Sequence, residues 1–176
     1  MITLIIPIGA PGSGKSTLQK YLGERISNFQ YTERDEEFSI LRKNNSLKKT
    51  RKILFDNLEL FLEKISATNH KNPEITYFVY LDSSNSKIQS RERFYQKLNP
   101  NKIIEINFNL PTSLLEERVK HREHSTFTRD PFKQKEMIQI IQNNIEFSNP
   151  KDDRITKIYI TKPISPNDIY QLIIQS

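Results

Sequence analysis

The chain has 176 residues, 35% of them hydrophobic, and its 27 Lys and Arg against 21 acidic residues leave a net charge of +6. That length suffices for one domain with a buried core, while the absence of cysteine excludes a disulfide framework, a thiol nucleophile and a cysteine-ligated zinc site. The three histidines make no zinc spacing, and without a basic-flanked leader or an apolar run of ~18 residues the expectation is a soluble, intracellular protein with no membrane partner.

Residues 2–8 form an apolar run ending in a glycine-rich turn, and 16–26 follow with the apolar spacing of a helix. A short strand at 29–31 leads through Thr32-Glu33-Arg34-Asp35 to a short helix over 36–43. A longer helix is predicted over 48–65, with Ile53, Leu54, Leu58, Phe61, Leu62 and Ile65 on one face. After a loop at 66–72, 75–81 reads as a buried strand, 86–98 as a helix and 102–107 as a strand. Thr112 reads as the cap of a helix reaching about 122, 131–147 as a further amphipathic helix, and 157–161 as a last strand. Ser165-Pro166 opens a terminal helix with Ile169, Leu172 and Ile173 inward. Strands alternating with helices predict a parallel sheet of about five strands, covered on both faces, with its ligand site at the carboxyl ends of the strands. No repeat or Pro/Gly-rich linker divides the chain, so residues 1–176 read as one domain.

Gly9-Ala10-Pro11-Gly12-Ser13-Gly14-Lys15-Ser16 matches GxxxxGK[ST] in full, between a predicted strand and a predicted helix. The glycines let the backbone curl so that successive N–H groups face a phosphate, and the following helix adds its positive end. Lys15 supplies a cation for the β- and γ-phosphates of ATP or GTP, and Ser16, followed by Thr17, a hydroxyl for Mg²⁺. The class predicted is therefore α/β, a P-loop NTPase fold with a short lid. A switch GTPase needs DxxG and NKxD, which are missing. Transporter ATPases and AAA proteins call for a longer chain and a strand ending in paired acids, which leaves a kinase for a small molecule or a polynucleotide.

Asp35 follows the second predicted strand, where its carboxylate can orient an attacking hydroxyl and take its proton, or can serve as a first-turn helix acid. Arg34 and Arg42 flank it and can face acceptor phosphates or solvent. Asp82 ends the third predicted strand, placed to hold a water of the Mg²⁺ shell or to assist Ser16, with Asn85 one turn on. Lys87, Arg91, Arg93 and Lys97 on the next helix make either a solvated face or a phosphate-contacting one. Arg118, Arg122 and Arg129 bracket a polar segment, about 118–130, in the place of a mobile lid; such arginines can neutralise the transferring phosphoryl group, or merely complement a helix dipole.

The order GAPGSGKS, Arg34-Asp35, Asp82-Ser83-Ser84-Asn85 with Arg91-Glu92-Arg93, and then residues 118–126 resembles the P-loop 5′-OH polynucleotide kinases, in their bacteriophage end-healing and fungal-type tRNA-ligase branches. The resemblance covers roughly residues 1–147. It implies a kinase that moves the γ-phosphate of an NTP to the 5′-hydroxyl end of RNA or DNA, as in end healing and tRNA splicing. Lys15 and Ser16 would handle phosphate and metal, Asp35 would be the general base, Arg122 with Arg118 the lid, and Arg34 or Arg42 the contact to acceptor phosphates. Arg129 is expected on the nucleotide, and Asp82 and Asn85 on the acceptor side. The alternatives are a small-molecule kinase for a nucleoside monophosphate or sugar, and a nucleotide-gated binding module.

Overall fold

The computed structural model describes residues 1–83, 85–120, 131–148 and 151–176, with the backbone course alone at 33–36, 39 and 131. β1 (Ile2–Ile8) is buried along its whole length, as a strand covered on both faces must be. It leads through the glycine-rich turn into α1 (Lys15–Gly23), then β2 (Phe29–Glu33), α2 (Arg34–Arg42) and the long α3 (Leu47–Lys71). β3 (Tyr77–Asp82), α4 (Ile88–Leu98), β4 (Lys102–Phe108) and α5 (Thr112–Lys120) follow, and α6 (Pro131–Asn143), β5 (Ile155–Ile160) and α7 (Pro166–Gln175) complete the chain. The five strands form one parallel sheet in the order β2-β3-β1-β4-β5. No described helix is long and apolar enough to cross a membrane.

Strand side chains alternate between two cores. Ile2, Leu4, Ile6 and Ile8 of β1, with Val79 and Leu81 of β3, pack under Leu58, Leu62 and Ile65 of α3 and Phe94, Tyr95 and Leu98 of α4. On the opposite face Ile5, Tyr80, Ile104, Ile106 and Phe108 pack with Leu18 and Leu22 of α1, Leu115 and Val119 of α5, and Ile169 and Ile173 of α7. The architecture is the one expected, and the differences are local. α3 runs to Lys71 instead of stopping near 65, because its polar last turns need no sheet beneath them and Asn72 closes the helix through its N–H to the Thr68 carbonyl. Thr112 is no cap: its hydroxyl donates to Gln142 Oε1 at 2.8 Å, while the Pro111 carbonyl takes the first helical N–H groups. Leu172 of α7 stays 43% exposed beside its buried neighbours Ile169 and Ile173. Ser165 caps α7 through a capping box with Asp168.

Candidate functional site

The chain turns at the carboxyl end of β1 so tightly that two glycines have no room for a side chain. A Cβ on Gly9 would meet Phe108 Cβ at 2.9 Å, and one on Gly12, whose φ is +82°, would meet the Leu115 carbonyl at 2.9 Å. At Gly14 (φ +103°) nothing stands within 4 Å of a Cβ, so the loop is open there while its base is fixed. Lys15 lays its ammonium across this loop, 3.0 Å from both the Gly9 and the Ala10 carbonyl and 3.3 Å from Ser13 Oγ. The turn is thus a cradle of fixed shape with a cation held over it, which is what an oligophosphate requires.

Ser16, one residue into α1, donates its hydroxyl to Asp82 Oδ2 at 2.9 Å. The two come together because β3 lies beside β1, so that the last residue of β3 reaches the first turn of the helix leaving β1. A hydroxyl and a carboxylate at this spacing, next to a phosphate cradle, are the protein's usual share of a Mg²⁺ site whose other ligands are phosphate and water. The donor set therefore fits the ion, and among the described residues no cluster of three or more His, Asp or Glu offers a separate metal cage.

Tyr80, on β3 and two residues before Asp82, is missed by sequence reasoning as anything but core. Its hydroxyl donates to the Lys15 carbonyl at 2.7 Å, pinning the first turn of α1 from below. Burial, and then the nearby Asp82 charge, push its phenol well above the ordinary tyrosine range, so it stays a proton donor. The signal was present: Tyr80 and Asp82 share a strand face.

Arg118 projects from α5 to the outer side of the loop, where Nη1 donates to the Gly12 carbonyl at 3.3 Å. It borders a cavity of about 300 Å³ running from Gly12, Gly14 and Thr17 to Leu110, Pro163 and Ile164. This position is beside the phosphate cradle, away from the end of β2 and thus from Asp35. Thr17 faces the same cavity. Arg122 and Arg129, and the lid from 121 onward, lie outside the described residues.

Arg34 and Asp35 begin α2 directly after β2, whose Glu33 is in register with Asp82. Their backbone therefore stands at the carboxyl edge of the sheet, one strand from the Ser16–Asp82 pair. Arg42 stands apart, at the far end of α2 about 12 Å away by helical rise, and its guanidinium donates to the Asn45 carbonyl.

Two readings need correction. Asn85 does not face an acceptor: its amide is buried and donates to the Pro7 and Leu81 carbonyls at 2.9 Å each. The cations of α4 are not a free basic face, because each is paired with a carboxylate of the chain. Arg91 is 0% exposed and pairs with Glu105 at 2.8 Å, Lys87 pairs with Glu146, Arg93 with Glu59, and Lys97 with Glu59 and Glu63. Helical periodicity alone cannot show where the acids of α3 and β4 fall.

The cradle, the hydroxyl–carboxylate pair and the strand order define a nucleotide-binding P-loop domain of the kinase-like type. By its sequence the chain belongs to the AAA domain family (AAA_33), whose model matches residues 4–143. The exclusion of AAA proteins by length and paired acids is thereby overturned, since this family fits a chain with the single Asp82 at the end of its third strand. No curated protein matches the chain significantly by sequence. Among solved structures it is similar to a sugar kinase from Janibacter sp., with 15% identity, 99% of this chain and 92% of that one covered, and a TM-score of 0.61. A gluconokinase from Sinorhizobium meliloti has 18% identity, 99% and 97% coverage and a TM-score of 0.54. Chaetomium thermophilum Kti12, in complex with ADP-AlF3, has 18% identity, 98% and 97% coverage and a TM-score of 0.56. At these identities the likeness is one of fold.

Proposed function

We propose that the protein is a P-loop kinase that transfers the γ-phosphoryl group of an NTP to a hydroxyl of a small molecule. The observation that carries the transfer is the 2.9 Å bond from Ser16 to Asp82 beneath the Lys15-capped loop. When bound there, Mg²⁺ would supply charge neutralisation at the β- and γ-phosphate oxygens. Ser16 and Asp82 would hold it, the loop N–H groups would bind the phosphates, and Lys15 would turn from the loop carbonyls to the phosphate oxygens. Arg118, Thr17 and the apolar wall of Leu110, Pro163 and Ile164 would take the rest of the nucleotide, a role for Arg118 on the bound nucleotide rather than in the lid over the transferring group. Asp35, at the end of β2, would orient the acceptor hydroxyl and receive its proton, and Arg122 would close on the transferring group.

A small acceptor is favoured over the 5′-hydroxyl end of a polynucleotide by two considerations. The similar structures include a sugar kinase and a gluconokinase, and the basic helix that argued for a strand, α4, has its charges paired with carboxylates of the same chain. The test is a transfer assay with γ-labelled ATP and GTP against sugars, gluconate, nucleoside monophosphates and 5′-OH RNA and DNA. Label on a small hydroxyl compound, abolished by Lys15→Ala, is the expected result. Label on oligonucleotide ends alone overturns the acceptor class, and nucleotide binding without transfer to anything overturns the kinase reading. Asp35→Asn should lower kcat by about 10² with both substrates still bound; a fully active variant leaves Asp35 as a helix acid.

A further inference from the structure

The basic surplus of the chain is concentrated at one corner. Between Arg42 and Lys52 the sequence holds Arg42, Lys43, Lys48, Lys49, Arg51 and Lys52 and no acid, six cations in eleven residues, as many as the net charge of +6. All six are exposed. The cations of α4 find carboxylates, whereas none of these six makes an ion pair among the described residues.

Local energetics disfavour this arrangement. Lys48, Lys49, Arg51 and Lys52 occupy the first two turns of α3, which has no acid in its first turn, so they sit at the positive end of the helix dipole. Lys48 with Arg51 and Lys52, and Lys49 with Lys52, are like charges three or four apart on one helix, each pair repelling its partner. Ser46 already caps the helix by accepting from the Lys49 N–H, so the cations are not replacing a missing cap. With 25 residues α3 is about 37 Å long, far longer than the strands beneath it at about 17–24 Å. Since its far end leads into the start of β3, its basic first turns project past the carboxyl edge of the sheet. A projecting, uncompensated patch that opposes its own helix is a surface shaped for an external polyanion.

We infer that the α2–α3 corner, residues 42–52, docks the phosphate backbone of a single-stranded nucleic acid. Charge complementarity selects the partner class: cations on successive helical turns match a row of phosphates, whereas a membrane surface would also want apolar residues to insert, and here Leu47 alone is exposed among them. Most of the corner stands a helix length from the end of β2, so the docking does not depend on which acceptor the kinase uses.

The experiment is fluorescence anisotropy of a labelled single-stranded oligouridine with the full chain over a salt series. Engagement of four phosphates predicts a log–log slope of about -3 and about 50-fold weaker binding at 200 mM than at 50 mM salt. The quadruple variant Lys48→Gln, Lys49→Gln, Arg51→Gln, Lys52→Gln should lose most of this slope and, by removing the repulsion, should melt no lower than the parent. Arg93→Gln with Lys97→Gln, which alters paired cations, should bind as the parent does. Lys15→Ala should also bind normally, which separates failure of the docking surface from failure of the kinase reading. Undiminished binding by the quadruple variant, absence of binding at low salt, or binding to phosphatidylserine vesicles with none to the oligonucleotide would each overturn the proposal.

Discussion

Ser16 Oγ and Asp82 Oδ2 lie 2.9 Å apart although 66 positions separate them in the chain. The contact exists only because the third strand inserts beside the first, and it joins the hydroxyl of the phosphate loop to the acid that ends the neighbouring strand. Ser16→Ala and Asp82→Asn should therefore fail in the same way. Each should lower kcat at limiting Mg²⁺ by roughly 10²-fold or more, as loss of transition-state charge stabilisation does, and excess Mg²⁺ should recover part of it. Kinetics over a Mg²⁺ titration check this, and a Mg²⁺-independent defect would make the pair purely structural.

Tyr80→Phe keeps the ring that packs on Phe29 at 6.0 Å and removes only the hydroxyl held by the Lys15 carbonyl. About 1 kcal/mol of stability should go with that hydrogen bond. The more telling readout is nucleotide affinity, which should fall severalfold as the first turn of α1 loosens under the loop. Isothermal titration with an ATP analogue measures it; unchanged affinity would confine Tyr80 to the core.

Arg91 is the most deeply buried charge among the described residues, with Glu105 at 2.8 Å, the Asn85 carbonyl at 2.6 Å, and the Glu146 carbonyl also accepting. Tyr95 and Ser148 donate to the same Glu105 oxygen. Arg91→Ala would strand that carboxylate and should destabilise by about 3–5 kcal/mol, lowering Tm by roughly 6–20 °C at this chain length. Glu105→Gln, which keeps the shape and one acceptor, should cost less than Arg91→Ala. Paired thermal melts decide it.

Glu59 receives Lys97 at 2.7 Å and Arg93 at 2.7 Å, and the Lys97 hydrogen bond is the main cause that draws its carboxyl below the usual range. A group whose pKa is lowered by folding stabilises the fold above its unfolded pKa and loses that contribution as pH falls through the folded one. The α3–α4 clasp should accordingly hold at neutral pH and open only in acid, as pH falls below the ordinary glutamate range. Because all three side chains are partly exposed, the effect on overall stability is small. Glu59→Gln should flatten the acid limb of a pH–stability curve, and an unchanged limb would assign it to other carboxylates.

The sequence by itself determined the elements and the phosphate loop, for a physical reason: both are local. Side-chain alternation of two in β1 and an apolar stripe in α3 declare themselves within a few residues, and a loop that curls around phosphate needs Gly9, Gly12 and Gly14 in a fixed order. Asp82 was legible too, because it ends a buried run. Distant pairings were left to the tertiary structure. Arg91 and Arg93 look alike on a helix, yet β4 places Glu105 under the one and α3 places Glu59 beside the other. Asn85 reads as an acceptor-side residue until the strand order brings the Pro7 carbonyl to its amide. The same neutralisation of α4 by acids far away in sequence is what leaves the basic charge of the chain standing at residues 42–52, a location that composition records only as a sum.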